Sequence, residues 1–214
     1  MRIISVTPLK IPDCKIIRFH RFKDVRGYFT EHFRQEEFDT LFRKTLKYPN
    51  ARFVQANESR SVANVVRGLH FQWQPHVGKL VRTLYGHMVD MALDIRPGSP
   101  TLGKIILYDM PFDPEADHAE WLWIPPGFAH GNFYLADSAI EYFCTGEYNP
   151  QAEAGISPFA KDIDWSLADV GLRAALEGLA LDGFILSDKD KDGHTLGSWL
   201  AKPESRLFSV GDLP

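Results

Sequence analysis

Residues 79–108, KLVRTLYGHMVDMALDIRPGSPTLGKIILY, decide the fold class. They hold three short runs rich in β-branched and other apolar residues: Lys79–Tyr85, Met88–Ile95 and Lys104–Tyr108. Gly86 separates the first two, and Pro97-Gly98-Ser99-Pro100 separates the last two. Each run is too short for a typical helix, and each is bounded by turn formers, so the stretch predicts successive strands. The pattern continues outward. Pro111–Pro114 and Pro125-Pro126-Gly127 break the chain again, and Ala139–Cys144 (AIEYFC) adds another strand-like run. Closely spaced strands of this kind predict a sandwich or barrel with its core at about 50–150, inside a single domain spanning 1–214. Two stretches read as helices. In Gln35–Lys44, Phe38, Leu41 and Phe42 fall at helical spacing. In Ser166–Leu181 the same holds for Leu167, Val170, Leu172, Ala175, Leu176 and Leu179, within a C-terminal helical extension of about 164–214.

Composition narrows the function classes. At 214 residues, 44% hydrophobic and 24% charged, the chain has the balance of a soluble globular domain large enough to bury a core. A net charge of −4 argues against a nucleic-acid surface, which needs a basic excess, but leaves room for a nucleotide ligand held by a few cations. Cys14 and Cys144 stand far apart and in no metal-like spacing, which points to a reducing compartment. No run approaches 18 apolar residues and the start, MRIISVTPLK, has no signal-peptide core. The expectation is a cytoplasmic protein without a membrane partner.

Three segments carry candidate chemistry. In VRGLHFQWQPHVGK (Val66–Lys79) strict strand alternation puts Arg67 and His70 on opposite faces, so they can share a pocket only if Gly68 introduces a bulge. In WIPPGFAHGN (Trp123–Asn132), Pro125-x-Gly127-x-x-His130 matches the second half of the cupin signature, a Pro/Gly turn feeding a strand with an inward histidine. Many cupins ligate a metal there. The earlier His-x-His is missing, since His70 and His76 are six apart, so no metal is expected. In DKDKDGHTLGSW (Asp188–Trp199) the acidic spacing imitates a calcium loop, but its twelfth position is Trp199 where a bidentate glutamate is needed. Nucleophile elbows and phosphate-binding glycine loops are absent.

Together these segments resemble the dTDP-4-dehydrorhamnose 3,5-epimerase family. The resemblance begins with DVRGYFTEHF (Asp24–Phe33) and QANESRS (Gln55–Ser61). It continues through Arg67–Gln72, Lys79-Leu80-Val81, Asp94–Thr101 and Pro126–Gly131, and closes with YFCTGEYNP (Tyr142–Pro150) and Leu186–Asp190. The resemblance implies a mainly β, double-sheet jelly-roll barrel of the cupin type with a few peripheral helices. It further implies a homodimer, no cofactor, and a nucleoside-diphosphate sugar as substrate. By the same resemblance His70 is the general base, Tyr142 the general acid across the ring, Asp190 the carboxylate orienting the base, and Lys79 the cation at the enolate oxygen. Asp188 is the fallback for the orienting carboxylate. Arg67 and His130 would hold the diphosphate, Arg26 and Glu31 would reach into the site from this chain or a partner, and Gln55, Asn57, Glu153 and Lys189 match further substrate contacts. Tyr148 matches the ring that stacks on the base. The residue types suit the reaction: a proton beside a keto group becomes acidic when a cation stabilises the enolate, and imidazole is a base with a pKa near working pH.

Three departures from the family pattern stand out. Asn132 replaces a common aromatic, Glu58 and Arg60 are more charged than usual, and the helical stretch near 166–181 replaces a shorter loop. They bear on which sugar is bound. The alternatives are an epimerase that inverts one carbon of another nucleotide-linked keto sugar and, from a different class, a metal-dependent cupin enzyme.

Overall fold

Two antiparallel sheets are built from strands most of which change sheet from one to the next, β1–β2 and β8–β9 staying together. The computed structural model describes residues 1–211 and 213, with the backbone alone at 180–182. The strands are β1 Ile3–Pro8, β2 Lys15–His20, β3 Phe22–Asp24, β4 Gly27–Phe29, β5 Gln55–Ser61, β6 Val66–Gln72 and β7 Lys79–Tyr85. They continue with β8 His87–Asp94, β9 Ile105–Pro111, β10 His118–Ile124, β11 Phe128–Tyr134, β12 Ser138–Cys144 and β13 Glu153–Gly155. One sheet runs β1-β2-β10-β7-β12-β5 and the other β13-β6-β11-β8-β9, while β3 and β4 form a separate hairpin. The opening stretch thus supplies β7 to one sheet and β8 and β9 to the other. Its turn at Gly86 is the point of crossing.

The sheets enclose a core in which Ile16, Val81, Leu122 and Ile140 of the first meet Met88, Ala92, Ile106, Phe128 and Tyr134 of the second. Both outer faces are covered as well. Helix α1 (Gln35–Leu41), continued by a π-helical turn at Phe42–Leu46, packs Phe38, Leu41 and Phe42 onto Phe19, Leu80, Trp121 and Trp123. On the other side α2 (Val170–Asp182) and the later helices α3 (Asp188–Lys191) and α4 (Leu196–Leu200) follow the last strand. From α2, α4 and the final turn, Leu176, Leu196, Trp199 and Phe208 cover Phe71, Met91, Leu93, Ile105 and Leu107. Coverage on both faces explains why β8 and β11 are buried almost throughout and do not alternate apolar with polar. The sheet also reaches beyond 50–150. β2 lies between β1 and β10, and Ile11, Cys14 and Ile16 belong to the inter-sheet core.

The helical insertion sits on the outside. Asp169 caps α2 through the backbone N–H of Leu172, and Gly183 ends it at φ +90°. Leu172, Ala175 and Leu179 join Leu176 against the five-stranded sheet. Beyond Gly183 the chain returns as a strap: Val66 N–H donates to Ile185 C=O and Ile185 N–H to Asn64 C=O. No helix among the described residues is long and apolar enough to cross a membrane.

Candidate active site

The site lies between the sheets, where β6 carries its bulge. His130 pairs with His70 and Asn132 with Arg67, so three residues of β6 span two of β11. The extra residue turns both Arg67 and His70 towards the cavity, as a bulge at Gly68 requires. Gly68 has φ +105°, and a Cβ there would lie 2.5 Å from Gly131 Cα and 2.7 Å from His130 C=O. No L side chain fits this conformation or this space. Gly68→Ala is expected to cost about 2–4 kcal/mol, seen in thermal unfolding as a midpoint lower by roughly 5–15 °C.

Two lobes of about 360 and 450 Å³ open from this point, and the four side chains they share are His70, Lys79, His130 and Tyr142. Gln55 and Asn57 of β5, Cys144 of β12, Tyr148 and Glu153 line the first lobe. Arg67, Asn132, Ser187, Lys189 and Asp190 line the second.

 Eleven of the thirteen expected site residues line one lobe or the other, all except Arg26 and Glu31.

Asp190 is 6% exposed and sits 2.5 Å from His70 Nε2. It also accepts from Gly68 N–H, while its own N–H donates to Ser187 Oγ, the cap of α3. Burial would raise the Asp190 pKa, but the hydrogen bond and charge of His70 outweigh it and hold the carboxyl below its ordinary value. Asp188, the fallback, is exposed, and it is Asp190 that meets His70. With Nε2 tied to Asp190, His70 keeps Nδ1 as the free basic nitrogen.

A second histidine–aspartate pair lies deeper. His130 Nε2 is 3.0 and 3.1 Å from the two oxygens of Asp90, with its hydrogen bond directed at Oδ2, and His130 Nδ1 is 3.4 Å from Lys79 Nζ. Burial pushes the pKa of Lys79 down, opposed by the nearby Cys144, Asp90 and Glu153. Burial likewise lowers His130, so a neutral ring can accept from the lysine ammonium. Burial raises the Tyr142 pKa, which keeps its hydroxyl protonated.

At the rim Tyr148 donates to Glu153 (2.8 Å), which also pairs with Lys189. Arg67 donates to Ser61 Oγ, and Gln55 donates to Asn57. Arg26 is turned to Asp24 on the β3–β4 hairpin, and Glu31 pairs with Arg34 and the N-terminus. Neither lines the cavity of its own chain. Asp90 and Cys144 were not singled out from sequence. The signal for Asp90 was available: a carboxylate inside the apolar run MVDMALDI. Among the described residues, no three His, Cys, Asp or Glu side chains gather in a way that could hold a metal ion.

A family model described as dTDP-4-dehydrorhamnose 3,5-epimerase matches residues 8–198. The chain is 39% identical over 195 residues to the dTDP-4-dehydrorhamnose 3,5-epimerase of Escherichia coli K12, covering 90% of this chain and 95% of that one. Among solved structures it is similar to the dTDP-6-deoxy-D-glucose-3,5-epimerase of Legionella pneumophila in complex with dTDP-4-keto-L-rhamnose. That match has a TM-score of 0.75 at 34% identity and covers 94% of this chain and 96% of the other. NovW of Streptomyces spheroides, a 4-keto-6-deoxy sugar epimerase, matches with a TM-score of 0.72 at 27% identity, over 100% of this chain and 94% of that one.

Proposed function

Because the chain belongs to the dTDP-4-dehydrorhamnose 3,5-epimerase family, with its mainly β, double-sheet jelly roll, we propose that it converts dTDP-4-keto-6-deoxy-D-glucose to dTDP-4-keto-L-rhamnose. The observation that carries this reading is the cavity wall shared by His70, Tyr142, Lys79 and His130, with Asp190 buried behind the base. His70 Nδ1 removes the proton from a carbon beside the keto group, and Asp190 stabilises the imidazolium that forms. Lys79, beside His130 whose ring is fixed by Asp90, meets the charge that develops on the keto oxygen. Tyr142 returns a proton from the other side of the ring, which inverts the carbon.

Tyr148 offers an exposed ring for the nucleobase beside Gln55 and Asn57, and Arg67 offers a cation for the diphosphate. Glu153 and Lys189 close the rim. Arg26 and Glu31 reach a site only in a dimer, where they would enter the partner's cavity. Phe22 and Phe29 are exposed on the same hairpin and suit such an interface, whereas Phe19 is buried in its own chain against Trp121 and Phe38.

Incubation with dTDP-4-keto-6-deoxyglucose, followed by NMR assignment of configuration, is expected to give inversion at C3 and C5. Unchanged substrate would refute the assignment. Asp190→Asn is expected to lower kcat by about 10²-fold with a much smaller change in KM, because it disturbs the base and not the nucleotide contacts. Steady-state kinetics checks this.

A further inference from the structure

Asn132 lies on the inward face of β11, between His130 and Tyr134, and lines the second lobe. It is 4% exposed, and its Oδ1 has no hydrogen-bond partner among the described residues. Its neighbour across the strands is Asp90, whose Oδ1 also lacks a directed donor. Two buried acceptors side by side are costly unless something donates to them. A phosphate would be repelled by Asp90, while a hydroxyl can donate its one hydrogen to Asn132 Oδ1, the acceptor of the two whose residue lines the lobe.

We propose that Asn132, beside Asp90, binds the C2 hydroxyl of the keto sugar and makes the enzyme select sugars that carry it. This rests on the function proposed above. Of the two hydroxyls of a 4-keto-6-deoxyhexose, the one on C3 changes direction when its carbon inverts. The C2 hydroxyl keeps its place, so a fixed contact there can anchor the ring through the whole reaction.

The test compares kcat/KM for dTDP-4-keto-6-deoxyglucose and its 2-deoxy analogue, with wild-type protein and Asn132→Ala. The wild type is expected to prefer the hydroxylated sugar by roughly 10- to 100-fold, and the variant to lose most of that preference by failing on the hydroxylated sugar alone. An equal loss on both sugars overturns the proposal, as does a wild type that does not distinguish them. Affinity for dTDP, expected to be unchanged, reports whether the variant is folded; if it is not, the wild-type preference decides alone. A wild type that turns over neither sugar refutes the proposed function, and this inference with it.

Discussion

Turnover of dTDP-4-keto-6-deoxyglucose by His70→Ala is expected to fall by about 10³-fold or more. His70 is the one shared wall residue whose ring is held by a buried carboxylate 2.5 Å away while its second nitrogen is left free. Alanine removes the base, and it leaves Asp190 buried without its strongest partner. Affinity for dTDP is expected to change little, since Tyr148, Gln55 and Arg67 do not depend on the imidazole. Steady-state kinetics with a parallel dTDP titration checks this. A residual rate within tenfold of wild type would mean that another group removes the proton.

Tyr142→Phe is expected to lower formation of the inverted product by about 10²- to 10⁴-fold while proton abstraction continues. The variant removes a hydroxyl and keeps the ring, so the packing of Tyr142 beside the inter-sheet core is preserved. Because burial raises its pKa, the native tyrosine remains a proton donor through the neutral range. The expected signature is a substrate that exchanges with solvent yet retains its configuration. Loss of exchange together with inversion would instead place Tyr142 on the abstraction side.

Much of the fold was legible because Gly and Pro mark the strand ends from Lys79 to Cys144, and the periodicity of 35–44 and 166–181 marks the two helices. What covers each sheet was not legible. The place of β2 in the sheet was not legible because a strand buried on both faces carries no alternation, and its neighbour β10 lies far along the chain. In the site, the bulge at Gly68 was readable as a requirement, since Arg67 and His70 could not otherwise share a face. The contact of Asp190 with His70 was expected only through the family resemblance, because 120 residues separate them and alone the acidic turn looks like a solvated one. Asp90 stayed hidden for a similar reason: its partner His130 lies 40 residues away on the neighbouring strand. The insertion was visible as a helix, but only packing shows that it lies on the outer face and touches the site through the strap at Ile185–Ser187.

The most direct measurement follows proton NMR of dTDP-4-keto-6-deoxyglucose in deuterated water, with wild type and His70→Ala. The account requires loss of the C3 and C5 proton signals with wild type and their persistence with the variant. Exchange at one carbon alone would indicate a single-carbon epimerase, and exchange that survives in His70→Ala would contradict the assignment of the base.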